Sequence, residues 1–169
     1  MLDLDDPRWC SYQTRTGVGA DIVSLLECPT SDQYYCLYQE CCDLGTFDIY
    51  PAAYAVLPHL EQLADDAKEI EDMKWPLYLS AAICVCFKFS QQESDVPKEL
   101  WDDFYTSTLL ARETAMELYK RLGNDDPTQR KTLMILPLLD IESKSLFGKP
   151  VPNSFVFFDW FEERRPDLG

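Results

Sequence analysis

From position 45 the chain reads Gly45-Thr46-Phe47-Asp48-Ile49-Tyr50-Pro51-Ala52-Ala53-Tyr54-Ala55-Val56-Leu57-Pro58-His59-Leu60-Glu61-Gln62-Leu63-Ala64, and the architecture follows from it. Gly45 suits the left-handed turn that ends a preceding helix. Asp48 is placed to cap the next helix, and Pro51 falls near its first turn, where a missing N–H costs nothing. Ala52, Ala53 and Ala55 keep that helix slim, so a neighbour can approach its backbone. Pro58 interrupts the apolar pattern and should bend or restart the helix. Slim, bent helices laid side by side predict stacked antiparallel hairpins.

Working outward, the flanks carry helical patterns almost throughout. Residues 1–17 read as an acidic, irregular lead-in with Asp3, Asp5 and Asp6. Val18–Glu27 predicts a short helix with Ile22, Leu25 and Leu26 inward, and 32–44 predicts a second, with Tyr34, Leu37, Tyr38 and Cys41 on one face. Asp65–Asp72 is a charge-dense link, after which Pro76 should open an apolar central helix through Phe87. Lys98–Leu122 predicts the longest helix, stopped by Gly123. Pro127 opens another through Leu133, Leu136 and Leu139, with Pro137 inside it. Phe155, Phe157, Phe158, Trp160 and Phe161 make 150–169 an aromatic-rich terminal cap.

The runs Val56-Leu57-Pro58-His59-Leu60 and Ile135-Leu136-Pro137-Leu138-Leu139 share one order of residue types. They lie about 80 residues apart, twice the period of roughly 40 in HEAT and armadillo hairpins. All 169 residues are therefore expected to form one all-α domain, a HEAT-like α-solenoid.

Composition narrows the function. Thirty acids against fifteen bases give a formal net charge of -15, which repels nucleic acid and anionic membrane and attracts basic protein. Seven cysteines, an odd number in a chain of this length, do not make a disulfide framework. With no secretory signal in view, a reduced, cytoplasmic protein is expected. The most apolar window, near Leu77–Phe89, is broken by Lys88 and too short to span a bilayer.

Chemistry finds few candidates. His59 is the single histidine, so a Cys/His nucleophile pair has little to draw on. Cys84 and Cys86 would point about 200° apart on a helix, Cys41 and Cys42 also diverge, and no C-x-x-C pair occurs. Glu113 and Glu117 have the i, i+4 spacing of carboxylate metal sites but no matching histidines, and read as a solvated face. Gly17 and Gly19 are too few for a phosphate loop. No enzyme, cofactor or metal is expected.

Tyr38-Gln39-Glu40, followed by Gly45-Thr46 and then Ile49-Tyr50-Pro51-Ala52-Ala53-Tyr54-Ala55-Val56-Leu57-Pro58-His59-Leu60, resembles a bacterial HEAT-like family. In that family a Gly-Thr turn precedes a Tyr-x-Ala-x-Tyr-Ala-x-x-Pro-x-Leu helix. The resemblance covers about residues 30 to 66. Members are often small acidic proteins encoded beside polymorphic toxins, and many are taken to be immunity proteins.

The resemblance implies an α-solenoid that binds protein: an immunity protein covering or distorting the active site of a basic cognate toxin, as a monomer in a one-to-one complex. A HEAT-like scaffold or adaptor without a toxin is the alternative. Acidic residues near helix ends with aromatic neighbours are the candidate contacts. They are Tyr50, Tyr54, His59, Asp65, Asp66, Glu69, Asp72, Trp75, Asp102 and Asp103, with a further acidic pair at 125–126.

Overall fold

Every residue from Ala52 to Leu60 is buried, in a helix on which four others pack. The computed structural model describes residues 1–27, 29–90, 96–123 and 127–142. Among them the helices are α1 (Val23–Glu27), α2 (Ser31–Cys41), α3 (Ala52–Asp66), α4 (Ile70–Phe89), α5 (Lys98–Arg121) and α6 (Pro127–Ile135). Extended structure is limited to β1 (Cys42–Asp43) and β2 (Asp48–Ile49), antiparallel, with Cys42 opposite Ile49. The class is all-α. No described helix is long and apolar enough to cross a membrane.

α3 packs on both α4 and α5, which also touch each other; α2 lies on α4, and α6 on α5. Tyr54 and Phe104 meet edge to face, with ring centroids 5.1 Å apart, near the starts of α3 and α5. Near their ends, Arg121 Nη2 donates to the Lys68 carbonyl at 3.0 Å. These two contacts make α3 and α5 parallel, with α4 running back between them. The alanines explain the intimacy: Ala52, Ala53 and Ala55 are fully or almost fully buried. α4 is buried without interruption from Pro76 to Cys86, as its all-round apolar sequence requires.

Several local expectations need correction. α3 neither restarts nor ends at Pro58. The interior proline costs about 3 kcal/mol, but Val56, Leu57 and Leu60 each bury a side chain worth roughly 1.5–3 kcal/mol, so packing carries the helix through. α4 begins at Ile70, six residues before Pro76, so the acidic link shrinks to residues 67–69. Asp72 is exposed, and water can take the carbonyl that Pro76 leaves without a donor.

Pro137 lies beyond α6, in a turn where the Leu138 and Leu139 N–H groups both donate to the Ile135 carbonyl. The two proline runs thus stand differently in the structure, Pro58 inside a helix and Pro137 in the turn that follows one. The aromatic segment 153–161, like the acidic pair at 125–126, lies outside the described residues.

The turn before α3 also differs. Asp48 does not cap the helix; it sits in β2 and accepts the Thr46 hydroxyl at 2.7 Å. Phe47 takes positive φ, 57°, a conformation costing a bulky residue about 1–2 kcal/mol. Its ring packs on Phe89 at 5.8 Å, which helps to hold it there.

The lead-in is irregular but not peripheral. Leu2, Trp9 and Tyr12 are buried, and Trp9 Nε1 donates to the Asp3 carbonyl at 2.9 Å. Short 3-10 turns at Pro7–Ser11 and Gly19–Asp21 bring Gly19 against Trp9. A Cβ at Gly19 would lie 2.8 Å from a Trp9 ring carbon and 2.9 Å from the Trp9 carbonyl oxygen. Backbone cannot swing aside as a flexible side chain can. Gly19→Ala is expected to lower stability by about 1–3 kcal/mol, measured by urea unfolding at unchanged m-value.

Candidate binding cleft

α3 ends at Asp66 and α4 starts at Ile70, so a three-residue turn holds two acidic helix ends side by side. Beside this turn stands the start of α2, where the Thr30 N–H donates to Gln33 Oε1 at 2.7 Å. The three helix ends enclose a cleft of about 530 Å³. Tyr34, Leu63 and Trp75 contribute its aromatic and apolar lining, and Glu27, Asp66, Glu71 and Asp72 its acids. No lysine or arginine lines it among the described residues.

The field in the cleft can be decided by magnitude. The starts of α2 and α4 each carry about half a positive charge, and the end of α3 about half a negative one. Four carboxylates outweigh that sum. One of them, Glu71, is ion-paired with Lys74, and three still suffice. Asp65 and Asp66 in addition sit at the C-terminal end of α3, where acids oppose the helix dipole by about 0.3–1 kcal/mol each. No basic residue occupies that last turn. Asp72 and burial both act on Tyr34: burial chiefly, then the Asp72 charge, push its phenol far above the ordinary value.

Trp75 is half-buried, its ring edge-to-face with Tyr78 at 6.0 Å and the Lys74 ammonium 5.3 Å from its centroid. Tryptophan in this setting presents a rigid, partly wet surface with little entropy left to lose.

Asp65 turns the other way, into a second groove of about 450 Å³ between α3 and α5. There Glu61 and Asp65 share the lining with Glu113 and Glu117, and Arg121 is the cation among them. Burial first, then Asp65 and Asp66, push the Glu61 carboxyl up. Glu113 and Glu117 are both exposed along the rim of this groove. No three His, Cys, Asp or Glu side chains among the described residues are close enough to hold a metal ion.

The sequence-predicted contacts divide. Asp66, Asp72 and Trp75 meet in the cleft, and Asp65 lies just across the turn. Glu69 is exposed in the turn but lines neither groove. Tyr50 stands before α3, at the end opposite the cleft, half-buried, its N–H on the Cys41 carbonyl. Asp102 is exposed on the first turns of α5, and Asp103 meets the Met1 amine at 2.6 Å.

Tyr54 and His59 face inward. Tyr54 is core, between Phe87 and Phe104. His59 Nε2 lies 2.9 Å from the Leu2 carbonyl oxygen. A carbonyl only accepts, so Nε2 carries the proton and donates. What the sequence missed is the company: Glu27, Tyr34 and Leu63 join the cleft from helices whose approach no local pattern announces.

Burial chiefly lowers the His59 pKa below its ordinary 6.5, with the N-terminal charge adding to it and the Leu2 hydrogen bond opposing it. The unfolded chain then binds a proton more readily than the folded one, so stability falls as pH drops through about 6.5. His59→Gln removes that titration. Thermal melts from pH 8 to 5.5 should therefore show the wild type losing stability relative to His59→Gln. Parallel curves would refute it.

The thiols divide by depth. Cys10 and Cys36 are exposed, whereas Cys41, Cys42, Cys84 and Cys86 are buried and free. Burial, opposed by Lys88, pushes Cys84 up to about 12; burial, then the Cys86 thiol, raise Cys42 well above the ordinary range. Such thiols are poor nucleophiles.

Comparison with known proteins returned no match: no family model, no curated protein and no solved structure.

Proposed function

We propose that this chain binds a basic protein through the acidic cleft at the α3–α4 turn, and that it does so as an immunity protein neutralising a bacterial toxin domain. The observation carrying the reading is the convergence of Asp66, Asp72 and Glu27 on Trp75 and Tyr34, without a lysine or arginine in the lining. Acid around a half-buried tryptophan is the arrangement expected of an anchor ringed by steering charges. The net charge of -15 supports the same partner chemistry.

Binding rather than catalysis is favoured by the lone histidine, spent on a backbone carbonyl, and by the buried Cys41, Cys42 and Cys84 thiols, driven toward the neutral form. The order of helix contacts, each helix on its neighbour and next neighbour, supports a two-layer stack of hairpins of the HEAT-like kind.

Affinity capture from the bacterial host, followed by co-expression of the captured protein with and without this chain, tests the proposal. A basic captured protein that arrests growth alone, and is tolerated with this chain, is the expected result. Capture of a harmless basic protein would turn the reading toward a scaffold. A partner held equally well by an Asp66→Lys, Asp72→Lys variant would refute the cleft.

A further inference from the structure

Two of the buried thiols come from different elements and touch. Cys42 follows α2 as the first residue of β1, and Cys86 lies in the last turn of α4. Both are fully buried. The Cys86 thiol donates to the Asp43 carbonyl, one residue beyond Cys42, at 3.6 Å. The Cys42 thiol in turn is hydrogen-bonded to the Cys86 sulfur. The two sulfurs are therefore direct neighbours.

The backbone around them is tied down. The Cys42 N–H donates to the Tyr38 carbonyl at the end of α2, and the Leu44 N–H to the Tyr38 hydroxyl at 3.3 Å. The Gly45 N–H donates to Asp43 Oδ1 at 2.8 Å, and Cys42 stands opposite Ile49 in the strand pair. Both strands rest on α4. Thiols held in this way meet at a far higher effective concentration than free ones. Cys84 is no rival, since it lies about 200° around α4 from Cys86, on the side of Lys88.

We infer that Cys42 and Cys86 are a disulfide-forming pair, a covalent cross-link site joining the end of α2 to the end of α4. A disulfide needs its Cβ atoms about 3.8 Å apart. From hydrogen-bond contact between the sulfurs, side-chain rotation and a small approach of the two-residue β1 can supply the rest.

The oxidant is a low-molecular-weight disulfide of the glutathione kind. One cysteine thiolate attacks one of its sulfurs, forming a mixed disulfide and releasing a thiolate, which takes up the proton the cysteine lost. The second cysteine thiolate attacks the protein sulfur of the mixed disulfide, and the second small thiol leaves with the second proton. Two protein thiols are oxidised to one bond, and one small disulfide is reduced to two thiols. Burial makes the first attack slow, because the reagent enters only when the β1–β2 turn lifts from α4. The same burial then shields the finished bond from reductant.

The bond would enclose α3 and most of α4 in one long loop, removing freedom from the unfolded chain. α2 and α4 both start beside the cleft and end at this pair, so the bond fastens the cleft's walls from behind without touching its lining.

The test is to expose the full chain to glutathione buffers of increasing oxidised fraction at mildly alkaline pH, then alkylate the remaining thiols and map the peptides. Folded protein and protein refolding from urea are both treated, since refolding admits the reagent whatever the opening rate. The expected result is one intrachain link between Cys42 and Cys86, with loss of two hydrogens from the chain. The linked chain should melt roughly 5–10 °C above the reduced one, and Cys42→Ala should gain nothing from the same treatment.

Recovery of Cys42 and Cys86 as alkylated thiols after refolding in the most oxidising buffer overturns the inference. So does a link from either of them to a different cysteine. A linked chain that melts below the reduced one overturns it as well, because the fold would then have to distort to hold the bond.

Discussion

Ala53→Trp is expected to abolish cooperative folding. Ala53 is fully buried on the α3 surface that neighbours approach most closely, and its own neighbours Ala52 and Tyr54 are buried as well. α4 and α5 are both packed on this helix, so an indole can enter only by displacing what is packed there. Smaller overpacking errors already cost about 1–3 kcal/mol, and this one should exceed that range. Since natural domains hold only about 5–15 kcal/mol in reserve, the variant should unfold at room temperature or melt without a cooperative transition. Ala53→Ser, which adds little volume, is the control. A cooperative melt of Ala53→Trp within a few degrees of the wild type would mean that the α3 surface is far looser than it stands.

The second large effect concerns the cleft. Asp66→Lys with Asp72→Lys changes the local charge by four without touching the core, because both residues are exposed. Association with a basic partner should slow by an order of magnitude or more at low salt, and its salt dependence should flatten. Trp75→Ala should act on the other rate. Loss of an anchor costs on the order of 2 kcal/mol, or about thirtyfold faster dissociation. Because the ring also rests on Tyr78, the melting temperature of Trp75→Ala must be followed in parallel. Glu69→Lys provides the internal contrast, since Glu69 lines neither groove and should change both rates little. Equal effects from Glu69→Lys and Asp66→Lys would reduce the cleft to part of a general acidic field.

How far the sequence could be read depended on the range of the forces involved. The apolar runs that became α3, α4 and α5 were legible because helical periodicity and burial agree there. Helix ends were less so. Nothing near Asp48 announces that it will pair with Asp43 rather than cap a helix, because that choice is made by the chain folding back on itself. Pro76 looked like a first residue, yet the packing beyond it sustains a turn and a half of helix before it.

The candidate contacts show the same divide. Asp66, Asp72 and Trp75 are close in sequence and were found together. Tyr54 and His59 came with the same helix motif, but their environment is set by Phe104 and Leu2, distant in the chain. Glu27 and Tyr34 reach the cleft only through the docking of α2, for which no short motif exists. Gly19 carried no visible signal, because its need is for the space that Trp9 occupies.

The buried stretch of α3, Ala52–Leu60, also sets a clock for the molecule. Water can reach the backbone of that stretch only after α4 or α5 has moved away, and both movements dismantle the main core. Backbone hydrogens between Val56 and Leu60, apart from the one Pro58 lacks, should then be replaced by deuterium only when the whole chain opens. Those of α1 and of the first turns of α4, beside the cleft, should exchange through smaller openings that leave α3 intact. The cleft would then sit on the readily opened part of the structure while its last α3 residues remain tied to the most protected part. A partner that closes the cleft should slow exchange in α1 and at the start of α4 far more than in α3.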